Sequence, residues 1–179
     1  MATPTRSIVD RMKGAAMLDV ATYEEVEADT TATGQAAVVV GIVAVCSAIG
    51  AIGRGGAAGI IGALIVAFVG WLLWAGITYL IGDKLLGGTA TWGELLRTLG
   101  FAQAPGVLSI LGIIPFFGGL VRVAVFIWLL ATGIVAIRQA LDFSTGKAVA
   151  TALLGWLAIA IITALLGGFG AMGAGMMGR

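Results

Sequence analysis

The sequence predicts an all-α integral membrane protein: a bundle of five transmembrane helices behind a short N-terminal amphipathic segment on the cytoplasmic side. Three observations predict it. Charged residues make up 11% of the chain and the mean hydropathy is +1.09, against roughly 25% charged residues in soluble domains. The ten basic and nine acidic side chains leave five long uncharged runs, 30–53, 55–82, 98–121, 123–137 and 148–178. All but 123–137 exceed the length of about 18 residues that marks a membrane-crossing helix. None of the runs alternates with the two-residue period of a barrel strand, so helices are left to satisfy the backbone in lipid.

Residues 1–32 form a water-facing domain, with Arg6, Arg11 and Lys13 against Asp10, Asp19, Glu24, Glu25, Glu27 and Asp29. Ser7-x-x-Asp10 is a helix-start pattern in which each side chain satisfies the other's free backbone N–H. It puts Ile8, Met12 and Ala15 or Ala16 on one face. Two placements are open for this helix: on an anionic leaflet, held by its basic residues, or solvated and touching the bundle. Thr22 to Glu25 repeats the pattern and opens a short acidic helix. Tyr23, Glu24 and Glu25, together with Trp92 in a later connector, are the candidate surface for a protein partner.

The membrane domain occupies 33–168, with spans expected at about 35–53, 57–80, 98–114, 120–138 and 148–168. No cleavable leader pattern precedes the first span, because its apolar run begins past residue 30, so a retained signal-anchor is expected. A glycine turn at 50–56 ends that span. The second carries small residues at Gly55, Gly59, Ala63 and Ala67, a stripe that permits close helix approach. Trp71, Trp74 and Tyr79 lie toward its far end, where aromatic rings favour the membrane interface. Residues 83–97 read as a polar connector, in which Thr91-x-x-Glu94 is again a capping box.

The third span is interrupted by Gln103-Ala104-Pro105-Gly106. Proline removes a donor and clashes with the preceding turn, so the helix must kink or break there. The Gln103 amide would satisfy a carbonyl freed by Pro105 or line a small polar cavity. The fourth span is bounded by Arg122 and Arg138. Its 15 uncharged residues give about 22 Å of helix, and the two Arg side chains snorkel to opposite head-group layers to make up the bilayer thickness. Ser144 or Thr145 caps the fifth span, and 169–179 reads as a flexible Gly/Met-rich tail.

Several function classes fall away on composition. The chain has no His and one Cys, Cys46, so a histidine base, a disulfide and a metal cluster are not expected. No cofactor is expected, and a net charge of +1 argues against a nucleic-acid surface. No span holds an acid or base well inside it, so no proton relay is visible. Ser47, Gln103, Ser109, Thr132, Thr151 and Thr163 are the intramembrane polar groups, suited to helix–helix hydrogen bonds. Basic residues at 6, 11, 13, 84, 97, 138 and 147 lie on the N-terminal side, against 54, 122 and 179 on the other, which places the N-terminus in the cytoplasm and the C-terminus outside.

The layout resembles a known family. Tyr23-Glu24-Glu25-Val26 in a short acidic segment, five spans, a third span opening Gly100-Phe101-Ala102-Gln103-Ala104-Pro105, and Ser144-Thr145-Gly146-Lys147-Ala148 leading into the fifth are similar to the Yip family of Ypt/Rab-interacting membrane proteins, and closer to its prokaryotic members. The resemblance implies a five-span protein, here of a prokaryotic cytoplasmic membrane. Eukaryotic members act in vesicle trafficking through Rab-type GTPases and membrane-protein partners. The long N-terminal region of those members is largely missing here, which makes a Rab-type GTPase a doubtful partner. Val20 and Ala21 also stand where many members have a proline. The expected role is a non-enzymatic scaffold or adaptor, organising a membrane-protein partner, a homo-oligomer or bilayer shape. The alternative is a small-solute or ion transporter or channel subunit using the broken third span.

Overall fold

A computed structural model describes residues 6–51 and 59–177, with side chains as far as Ile161. Two short helices, α1 (Ile8–Ala16) and α2 (Val20–Ala28), form an N-terminal hairpin. Then follow α3 (Ala32–Ala51), α4 (Gly59–Thr78), α5 (Trp92–Phe101), α6 (Gly118–Ala140) and α7 (Thr145–Met177). Every regular element among the described residues is helical. Four stretches are long and apolar enough to cross a membrane: Ala32–Ala51, Ile60–Leu85, Trp92–Ile113 and Gly118–Ala140. The apolar stretch described at the start of α7 is shorter, Thr145–Ile161.

The local starts follow from side-chain chemistry. Ser7 Oγ accepts from Asp10 N at 3.2 Å. At α5 the capping box is complete, with Thr91 N donating to Glu94 Oε2 at 2.7 Å and Glu94 N to Thr91 Oγ1 at 3.3 Å. The α2 cap is Asp19, which accepts from Ala21 N, rather than Thr22 as the sequence pattern suggested. Thr22 is instead buried within the hairpin, its hydroxyl donating to Asp19 at 2.7 Å. Ser144 Oγ accepts from Lys147 N and opens α7. The connector expected over 83–97 shrinks from both ends. α4 passes into a π-helical segment, Tyr79–Leu85, and α5 begins at Trp92. α7 is helical to Met177, so it takes in most of the residues that read as a tail.

The core forms around α5, in which Leu95 to Phe101 are all buried. α1, α2, α3, α4 and α6 all pack on it. The apolar face of α1 turns inward: Ala15 is fully buried, and Ile8, Met12 and Ala16 pack against the core. The apolar face of α1 is thus in contact with the bundle.

Past α5 the third span changes pitch. Ala104–Ile113 winds as a 3-10 helix, ten residues where such runs seldom exceed about four. With three residues per turn, Gly106, Ser109 and Gly112 stack on one face, and that face is laid against α3. A Cβ on Gly106 would lie 2.5 Å from Val43 Cγ1, one on Gly112 would lie 3.1 Å from the Gly50 carbonyl, and one on Gly50 would collide with the Ser109 carbonyl oxygen. Lower down, a Cβ on Gly100 would lie 2.7 Å from Ala36 Cβ. Contacts step by seven residues on α3 (36, 43, 50) and by six on its partner (100, 106, 112). At Gly50 and Gly112 this seam is backbone against backbone, and at Gly100 and Gly106 it is backbone against the side chains of Ala36 and Val43.

Candidate functional site

Two places concentrate the polar chemistry of the chain: the N-terminal hairpin and the break in the third span. In the hairpin, Arg11 is 1% exposed. It pairs with Asp29 at 2.6 Å and Glu25 at 3.0 Å and donates to Gln35 Oε1 at 2.9 Å. One guanidinium thus ties α1 to α2 and α3. Charge-assisted bonds of this kind are about twice as strong as neutral ones, which offsets the desolvation of the cation. Thr31 and then Arg11 hydrogen-bond the Asp29 carboxylate, and together they hold its pKa down at about 2.

A second buried arginine anchors the hairpin to the bundle. Arg97 of α5 donates through Nε to the Val26 carbonyl at 2.9 Å and through its guanidinium to the Glu27 carbonyl. Those are free carbonyls at the C-terminus of α2, where a cation also complements the helix dipole. Tyr23 completes the attachment. Its ring is fully buried, and its hydroxyl lies 3.0 Å from the Ala15 carbonyl and 3.3 Å from that of Thr132 in α6. Burial pushes the phenol well above its ordinary range. Trp128 Nε1 adds a bond to the Ala16 carbonyl at 2.7 Å.

Glu27 is the strained member of this surface. Its Oε2 is buried with no hydrogen-bond partner among the described residues. Burial first, then the neighbouring charges of Glu24, Glu94 and Asp142, raise its pKa from 4.5 to about 7. The folded chain therefore holds this proton more tightly than the unfolded chain. The stability contributed by this proton is lost as pH rises from about 4.5 to about 7, and nothing further is lost from it above that window. Glu27→Gln is expected to remove this slope and to raise the melting temperature at pH 8 more than at pH 4.5. A pH–stability profile in detergent unchanged by the substitution would count against the strain.

At the break, the structure reassigns a role. Proline has no N–H, so in a 3-10 helix Pro105 leaves the carbonyl three residues back, that of Ala102, without its partner. The Gln103 amide does not fill the gap. Thr132 Oγ1 of α6 donates to Ala102 O at 2.7 Å, a buried helix–helix bond of the kind expected of the intramembrane threonines. Gln103 is released and lines a cavity between α4, α6 and α7. That cavity is walled by aromatic and aliphatic groups, not the polar pocket that the sequence suggested. Trp71, expected at an interface, is 5% exposed, and its Nε1 donates to the Leu96 carbonyl at 3.1 Å.

The remaining residues singled out from sequence divide as follows. Gly55 lies outside the described residues. Gly59 begins α4, Ala63 is half-buried, and Ala67 packs against the core. Among the glycines described, backbone lies directly on backbone at Gly50 and Gly112. Arg122 is exposed near the start of α6, and Arg138 is half-buried near its end, donating to Gln139 Oε1 at 2.9 Å. Of the proposed partner surface, Tyr23 belongs to the core, and Glu25 is engaged by Arg6 and Arg11. Glu24, which accepts from Gln139 Nε2, and Trp92 stay exposed. Among the described residues no cluster of acidic, Cys or His side chains could hold a metal.

A family model described as the Yip1 domain matches residues 20–167. No curated protein matches the chain, and no solved structure does.

Proposed function

The chain belongs to the Yip1 domain family, and on that footing we propose that this integral membrane protein is a non-enzymatic scaffold or adaptor that holds a partner protein against the bilayer. One observation carries the reading. The N-terminal hairpin is locked to the bundle by Arg11, Arg97 and Tyr23, so the exposed Glu24 is presented on a rigid mount. Trp92, 42% exposed at the start of α5, supplies an aromatic anchor of the sort interfaces favour. A preformed surface loses little entropy on binding. In the same proposal α7 is the fifth span, and the hairpin faces the cytoplasm.

A promiscuous biotin ligase fused at the N-terminus tests orientation and surface together, because it needs cytoplasmic ATP. Labelling of a reproducible set of neighbours is expected, and Glu24→Lys with Trp92→Ala should deplete a subset of them. Phe116→Ala, in the exposed turn before α6, should leave the set intact. An absence of labelling overturns the orientation. An identical set in the double variant overturns the surface.

A further inference from the structure

The cavity beside the break has a volume of about 360 Å³, within the range of roughly 300–1,000 Å³ typical of small-molecule sites. Its walls are the rings of Trp71, Trp74, Phe126 and Trp156. Phe126 and Trp156 are in tilted contact, their planes at 48° and their centroids 5.4 Å apart. Leu129, the middle residue of α6, also lines it, so the cavity sits halfway along a membrane span. Val66 and Phe126 at its edge are exposed on the apolar flank, which makes the bilayer the route of entry.

One N–H donor bears on this apolar space. The Gln103 amide lines the cavity with no side-chain partner among the described residues. An unpaired donor in a medium without water costs free energy that an acceptor would recover. No charged residue is among the described residues lining the cavity, so a neutral occupant is required. A plain acyl chain fills the volume and leaves the amide unpaired. A flat ring with carbonyl oxygens stacks on the aromatic walls and pairs with it.

We propose that the cavity binds the ring of a quinone-class lipid, with a ring carbonyl accepting from Gln103 and the hydrocarbon tail leaving along α4 into the bilayer. The ligand class follows from three requirements met together: planarity, neutral acceptors and entry from lipid. Gly70 provides the control. It lines the cavity, and a Cβ there would meet nothing within 4 Å, so a side chain can leave the backbone at this position without a clash at its first atom.

The test uses the full chain in phosphatidylcholine nanodiscs titrated with a decyl-tailed benzoquinone. Trp71, Trp74 and Trp156 line the site, and the chain has five tryptophans in all, so saturable quenching of tryptophan fluorescence is expected. Gln103→Leu, which removes an unpartnered amide, should weaken binding about tenfold, the equivalent of one hydrogen bond. Gly70→Phe should abolish saturation while leaving the ligand-free melting temperature unchanged. Decanol, a tail without a ring, should not compete. Quenching that is linear and equal in all variants overturns the site. Full competition by decanol overturns the ring and leaves an unspecific acyl groove.

Discussion

Gly50→Ala is expected to destabilise the protein by about 3 kcal/mol, at the upper end for overpacking a core. Adding one methyl is ordinarily mild, and in a helix interior it raises propensity by about 1 kcal/mol. Here the new Cβ would collide with the Ser109 carbonyl, a backbone atom that moves only if the 3-10 segment moves with it. Gly112 lies against Gly50 from the same side, so the segment cannot slide to relieve the clash without opening its neighbour. Gly70→Ala, whose Cβ meets open space, should be neutral or slightly stabilising. Unfolding in detergent followed by circular dichroism checks the pair. Equal midpoints for both would dispose of the close seam.

Arg11→Met keeps most of the side-chain volume and removes the charge, and a loss of about 3 kcal/mol is expected. Removing one partner of a buried ion pair costs roughly 3–5 kcal/mol. The low end applies because Glu25 and Asp29 are 28% and 21% exposed and water takes up part of the loss. The pH dependence carries a signature. A carboxylate depressed in the folded state contributes stability that is present above its unfolded pKa. For Asp29 that contribution is lost as pH falls from about 3.8 through about 2. In the variant this acid loss should shrink without vanishing, since Thr31 still bonds Asp29. A variant within 0.5 kcal/mol of wild type, with an unaltered acid limb, would show that the arginine is dispensable.

Four membrane-length apolar stretches were legible because nineteen charges divide the chain at almost every turn, and desolvating a charge is too costly to hide. The pitch change after Pro105 was legible only as a break. No local rule predicts ten residues of 3-10 helix, since that choice is made by the fit of Gly106 and Gly112 to α3. For the same reason the stripe at Gly59, Ala63 and Ala67 drew attention: it follows an α-helical period of four, whereas the seam runs with periods of seven and six. Tyr23 read as surface because it stands in an acidic run. One of the two carbonyls facing its hydroxyl, that of Thr132, is 109 residues away. Gln103 was picked out by its polarity, but the four rings around it come from three separate helices and no spacing along the chain announces them.

The seam between α3 and the 3-10 segment works like a vernier. Seven α-helical residues advance about 10.5 Å, while six 3-10 residues advance about 12 Å. The two scales therefore drift by roughly 1.5 Å at each coincidence. Marks that agree at Val43 and Gly106 are still close at Gly50 and Gly112, and one step further they would have parted by a sizeable fraction of a turn. The 3-10 segment ends at Ile113, one residue past Gly112, so its side of the contact closes before the two pitches part.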